Sequence, residues 1–234
     1  MKPRYQKKRN RALTLPELLV VIAVLMVLIV LLLPVLAAAK RRASQISCRS
    51  QLRQVTLCLE MWAGDHNHQY PMAVSVADGG GKELIAAGKL ADFFRVTSNE
   101  LSTPKILVCP QDTNVVFSPY EFGPDFSNSN ISYFVGVDIT NQDSPQRILT
   151  GDDNLVVDGI AIKSGVRAVA ATASMSWDSS RHIDVYQPHF WDRVQKTSYG
   201  WLGFADGSVT EAYNDDLQHA IQQTGLATNR LAIP

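Results

Sequence analysis

The sequence predicts an α+β protein, with a long N-terminal hydrophobic helix packed on an antiparallel β-sheet domain. Three features of the 234-residue chain predict it. Residues 18–33 form an unbroken apolar run rich in Leu, Val and Ile. Apolar residues then recur at helical spacing as far as Trp62. Beyond residue 100, short β-rich segments alternate with joints rich in Asp, Asn, Ser and Gly. Runs of strands separated by turns, after a helix, give the α+β class. The length suffices for one core plus a long helix.

The leader comes first. Residues 1–12 carry six positive charges and no acid. Leu13, Thr14, Leu15, Pro16 and Glu17 lead into the apolar run, which extends with Pro34 to about 22 residues of low polarity. As a helix these span about 33 Å, enough to cross the hydrocarbon core of a bilayer. The leader charges are expected to stay in the cytoplasm, which sends the C-terminus out. Lys40, Arg41 and Arg42 on the far side oppose that bias with three charges against six.

Glu17 sits at the head of the apolar run. Physical chemistry alone leaves two readings of it. Thr14-x-x-Glu17 reads as a capping box, with Pro16 tolerated in the first turn and the carboxylate in the headgroup layer. Alternatively, Glu17 requires a cationic partner, which a free amine made by cutting before Leu13 would supply. A carboxylate carried to the bilayer centre would cost about 2.5–3.5 kcal/mol.

Past the apolar run, Cys48, Leu52, Val55, Leu59 and Trp62 form one stripe, with Arg49, Arg53, Gln54 and Glu60 off it. No Gly or Pro interrupts residues 35–63, and Gly64 is expected to end the helix. The predicted organisation is a basic leader at 1–12, a membrane or filament-core segment at 13–39, an amphipathic continuation at 40–63 and an extracytoplasmic domain at 64–234.

Within that domain, residues 82–94 are expected to be helical and residues 106–109 a short buried strand. Further strands are expected at 131–137, 147–150, 166–172, 182–186, 201–205 and 208–213. Asp206-Gly207 is read as a two-residue type I′ hairpin turn, which needs positive φ at both positions. Residues 215–224 read as a terminal helix opened by Asn214. Residues 123–130, 138–145 and 151–159 read as loops.

Charge is divided unevenly along the chain. Residues 1–53 hold eleven Lys and Arg and one acid, whereas residues 54–234 hold eleven basic and 21 acidic residues. A net acidic domain argues against nucleic acid as its partner. Three cysteines fit neither a disulfide framework nor a zinc pattern. Cys48 and Cys58, about 15 Å apart on one helix, cannot bridge each other. Either could reach Cys109. A Cys48–Cys109 bridge is the expectation in an oxidising compartment, with three free buried thiols as the alternative.

The segment from the leader to the apolar run resembles the signal of type IV pilins and type II secretion pseudopilins. Ala12 matches the small residue before the cut, usually Gly, and Leu13 the first mature residue, usually Phe. Thr14, Leu15 and Glu17 match directly, and Pro34 falls where the family often has proline. Pro16 departs from the usual aliphatic. The resemblance implies a pilin-like fold, prepilin peptidase cleavage between Ala12 and Leu13, and N-methylation of Leu13. It also implies pairing of Glu17 with a neighbouring amine during assembly. Downstream, "CRSQLRQVTLCLEMWAGDHNHQYP", "LVCPQD", "SYF", "ILTGDD", "RH" and "GFADGSV" resemble pilin-like families of Verrucomicrobia, Planctomycetes and Lentisphaerae. Ser208 replaces their usual His, and the stretch from His182 to Asp206 is longer than typical.

Two other readings of the N-terminus are a Sec signal cut after Ala37-Ala38-Ala39 and a plain uncleaved anchor. No nucleotide-binding loop, nucleophile elbow or other catalytic constellation is present, so the chain is not expected to be an enzyme. No cofactor or metal is expected. Calcium at Asp152-Asp153 or Asp138/Asp143 is set against solvated acidic loops without EF-hand spacing. His66 and His68 lack a second ligand cluster. Trp177, Trp191, Trp201, Tyr186, Phe190 and Tyr199 are read as core packing in preference to an exposed platform.

The expected function is a structural subunit, major or minor, of a type II secretion pseudopilus or type IV pilus-like filament. Expected partners are prepilin peptidase, other pilin or pseudopilin subunits and the bacterial inner membrane. A single pass would leave the N-terminus cytoplasmic and the domain periplasmic or extracellular. The alternative is a monomeric anchored surface protein whose domain binds a polysaccharide or other ligand.

Overall fold

The computed structural model describes residues 15–115, 117–139, 145–178, 183–186 and 195–234. The chain divides into two units, 1–43 and 44–234. Helix α1, Leu15–Asp65, begins in the first and ends in the second. In the first unit its apolar side chains, from Leu18 to Leu36, are exposed. In the second, Cys48, Leu52, Val55, Leu59 and Trp62 are buried, together with Thr56, Cys58 and Ala63.

The helix is longer than Gly64 suggests. It runs to Asp65, and the reversal falls on Asn67 and His68, both at positive φ. The His68 N–H reaches back to the Ala63 carbonyl at 2.8 Å, which closes the last turn without a glycine cap.

Three short helices follow: α2, Lys82–Ala86; α3, Leu90–Val96; and α4, Ser98–Leu101. The single helix expected at 82–94 is thus two helices, divided at Gly88, whose φ is +71°. The strand expected at 106–109 is instead a 3-10 turn, Pro104–Leu107, followed by extended Val108. Pro104 presets the turn, and the Thr103 hydroxyl caps it by accepting the Lys105 N–H.

The strands are β1, Tyr133–Gly136; β2, Ile148–Asp152; β3, Leu155–Val157; β4, Ile160–Ala161; β5, Gly165–Ala170; β6, Met175–Trp177; β7, Ile183–Tyr186; β8, Gln195–Phe204; and β9, Val209–Tyr213. Helix α5, Asn214–Gln223, and β10, Thr228–Ile233, complete the chain. Among the described residues a seven-stranded sheet runs β5-β10-β1-β2-β8-β7, with β9 also paired to β8. A smaller sheet has the order β4-β3-β6. The pairings are antiparallel. The fold is α+β and pilin-like: a long apolar helix followed by an antiparallel sheet domain.

Alternation along the strands builds two cores within the domain. Tyr133, Val135, Leu149, Tyr199 and Trp201 pack with Cys48, Leu52, Val55 and Leu59 of α1. Phe134, Ile148, Leu202 and Ala212 instead join Leu217 and Ile221 of α5 and Leu155, Met175 and Trp177 of the small sheet. Each buried Leu or Phe contributes about 1.5–3 kcal/mol.

The 151–159 loop is replaced by the end of β2 and by β3, and β10 adds a strand near the C-terminus. Asp206-Gly207 is not a type I′ turn, because only Gly207 takes positive φ, at +76°. Gly207 N–H donates to the Phe204 carbonyl at 3.0 Å, and Phe204 N–H to Ser208 at 2.9 Å. This is a three-residue loop closed by a glycine bulge. The two-residue turn lies at Asp158-Gly159, where φ is +50° and +77° and Val157 opposes Ile160.

Candidate functional site

The candidate site is the N-terminal segment, which the chain builds from local chemistry. Ala12 and Leu13, between which the cut is expected, lie outside the described residues, as does Thr14. Pro16 occupies the first turn of α1, where its missing N–H breaks no hydrogen bond. Glu17 lies in that same turn, where the positive end of the helix dipole favours a carboxylate.

From Leu18 onward the helix presents apolar side chains on all sides. Its most apolar 18-residue window has mean hydropathy 3.5, and none of it is buried. Such a surface is stable only against lipid or against other apolar helices. The length and composition suffice to cross a membrane. Pro34 lies inside the helix, with Lys40, Arg41 and Arg42 beyond it.

In the domain, Cys48 of α1 and Cys109 form a disulfide, with their Cα atoms 4.8 Å apart. Cys58 is a buried free thiol, and its Sγ donates to the Thr97 carbonyl at 3.7 Å. Burial pushes this thiol up to about 12, against the hydrogen bond to Thr97, and Glu100 adds to the rise. It is therefore protonated and unreactive at neutral pH.

The other residues singled out in the sequence do not gather into one site. His66 stacks on Trp62 at 3.6 Å, and its Nδ1 lies 2.8 Å from the Trp62 carbonyl. Asp138 accepts from Arg230, both from the backbone N–H and from Nε, each at 2.6 Å. The buried Asp152 accepts the Trp201 N–H at 2.8 Å. Trp177, Trp201 and Tyr199 are buried, and Tyr199 Oη donates to Gln111 at 2.8 Å. Asp143, Trp191 and Phe190 fall outside the described residues, as does the side chain of Tyr186. No group of three or more His, Cys, Asp or Glu able to hold a metal occurs among the described residues.

Sequence reasoning missed Glu60 and Thr56, both of which lie where α1 meets the sheet. Thr56 Oγ1 lies 2.8 Å from Thr150 Oγ1, directly over Gly203. The carboxylate of Glu60 lies against Gly207, at the tip of the β8–β9 hairpin. Burial, and then the charge of Asp206, raise the Glu60 pKa. The glycines of the "GFADG" segment were the available signal, since helix and strand can approach this closely only where a Cβ is missing.

Residues 7–33 match a family model described as the prokaryotic N-terminal methylation motif. The match takes in Ala12, Leu13, Glu17 and the whole apolar run. No curated protein and no solved structure matches the chain.

Proposed function

Because the chain carries a type IV pilin-like prepilin signal, we propose that it is a structural subunit of a type II secretion or type IV pilus-like filament. The signal marks it as a prepilin-like substrate of prepilin peptidase, anchored in a membrane by its N-terminal helix. The peptidase cuts between Ala12 and Leu13 and methylates the new amine of Leu13. The leader holds the N-terminus on the cytoplasmic side of the inner membrane, and the domain lies outside. Once extracted from lipid, the apolar helix repacks against the helices of other subunits, keeping its surface out of water. Glu17 then meets a cationic amine in the filament interior, which fixes the register between subunits.

One observation carries this reading: the motif match covers Ala12, Leu13, Glu17 and an apolar run whose side chains are exposed among the described residues. The test is the mass and N-terminal residue of protein isolated from membranes. An N-methylated Leu13 is the expected result. A chain that retains Met1, or one that begins at Lys40, overturns the reading. Glu17→Ala is expected to abolish filaments while leaving the protein in the membrane; filaments that persist would make the helix a mere anchor.

A further inference from the structure

Among the described residues the domain's main sheet ends in β5, β7 and β9, and the edges at β5 and β9 differ in charge. At one edge β5 pairs only with β10 among the described residues, and at the other end β9 pairs only with β8. Hydrogen bonding fixes which backbone groups point outward. Ala171 N–H donates to the Ala227 carbonyl at 3.0 Å, so the alternation turns the backbone of Val166 and Ala168 away from β10. Phe204 N–H donates to the Ser208 carbonyl at 2.9 Å, which likewise turns Val209 and Glu211 away from β8. Arg167, Ala168 and Ala170 are exposed on β5, and the strand has no proline, bulge or acidic residue to shield it.

Charge distinguishes the two edges. Between residues 159 and 177 the chain has Lys163 and Arg167 and no acid. Between residues 197 and 229 it has Asp206, Glu211, Asp215 and Asp216 and no Lys or Arg. Beside β5 lies a groove of about 290 Å³, lined by Val157, Ile160, Ile162 and Val169, with Lys163 and Arg167 among its walls. At the other end, β9 offers Tyr213, a large side chain left 40% exposed.

We propose that β5 of one copy pairs antiparallel with β9 of the next, extending the sheet from domain to domain. Val166 then faces Glu211, and Ala168 faces Val209, so two pairs exchange backbone hydrogen bonds. Tyr213 comes to lie beside the corner at Ser164, next to the groove, and Asp215 approaches Lys163. The contact joins unlike surfaces and therefore propagates head to tail. This rests on the filament-subunit reading for its setting, although the pairing itself needs only two copies in one membrane.

The test uses the full-length protein in membranes, carrying Ala168→Cys and Glu211→Cys together, two exposed positions on one face of the joined sheet, treated with a short bismaleimide. The native Cys58 is buried, with its thiol held protonated, so it does not compete. A ladder of crosslinked copies is expected from the double variant, and none from either single variant. Lys163→Glu should cut the ladder by at least about threefold, as should Asp215→Lys. Combining the two charge changes should restore it. A double variant without a ladder overturns the proposal, as does crosslinking by Ala168→Cys alone, which would mean that two β5 edges meet. A Glu17→Ala background separates the two readings. A ladder that survives there without filaments shows edge pairing independent of helix assembly. Filaments in the wild-type background without a ladder leave the helix reading standing and sink this one.

Discussion

Glu60 and Gly203 lie where α1 meets the sheet, and each makes a distinct prediction. The raised pKa of Glu60 means that the folded domain holds this proton more tightly than the unfolded chain does. Its contribution to stability therefore falls as pH rises from the ordinary carboxylate value through the raised folded one. Asp206 has the opposite sign. Its hydrogen bonds with Ser208 lower its pKa, so the stability it adds is present above the ordinary value and lost on acidification. Glu60→Gln is expected to stabilise the domain at pH 7 by less than about 1 kcal/mol, given its partial exposure. Near pH 4 the gain should vanish, as chemical denaturation at the two pH values would reveal. At Gly203 an added Cβ would lie 2.3 Å from Thr56 Oγ1 and 2.5 Å from Thr150 Oγ1. Gly203→Ala should cost about 1–3 kcal/mol through overpacking, and Thr56→Ala in the same chain should recover part of that loss. Recovery would be absent if the alanine acted through the strand backbone alone.

The two Asp-Gly hairpins explain what the sequence disclosed about the elements and what it withheld. Asp206-Gly207 does turn β8 into β9, but not in the type I′ form expected of it. Asp206-Gly207 became a bulged three-residue loop because Ala205 joins the turn, while Asp158-Gly159 adopted the tight form between two very short strands. A strand of two or three residues has too little alternation to stand out from a loop, which is why β3, β4 and β6 escaped notice. Strand β10 escaped for another reason: Thr228, Asn229 and Arg230 are unremarkable, and only pairing with β1 and β5 makes them strand. The stripe on α1, by contrast, is legible except for Thr56, Cys58 and Ala63, because helical spacing over fifteen residues leaves few alternatives. Of the N-terminal site, the motif and the apolar run were legible, since membrane chemistry is written in composition. The tight hairpin can be tested through its first residue. Asp158→Asn should be tolerated, because Asn also adopts positive φ. Asp158→Val should cost about 1–2 kcal/mol, because a β-branched residue resists that conformation. Equal stabilities in thermal melts would contradict a type I′ turn.

The molecule divides its physical tasks along its length, and the Cys48–Cys109 disulfide stands near the start of the second. Of the eleven Lys and Arg in residues 1–53, six lie in the leader and Lys40, Arg41, Arg42, Arg49 and Arg53 are exposed on α1, whereas residues 54–234 carry the excess acid. Cys48 is the first fully buried residue of the domain's own stretch of α1, and Tyr133 Oη donates to its carbonyl at 3.3 Å. The bridge spans 61 residues of sequence, a loop whose closure restricts the unfolded chain by about 4 kcal/mol. Any force or thermal motion that would peel α1 from the sheet thus meets a covalent tie before it reaches Leu52, Val55 or Leu59. Cys48→Ser together with Cys109→Ser should destabilise the domain by about 2–4 kcal/mol and expose α1 to proteolysis between residues 48 and 62. Insertion of residues 18–33 into the membrane should be unaffected, because it depends on their own apolar, exposed side chains. Limited proteolysis of membranes, with the N-terminal fragment followed by mass, reads both outcomes together. Loss of membrane association in the variant would show that the helix depends on the folded domain, and unchanged protection of α1 would show that the hydrophobic stripe holds it without the bridge.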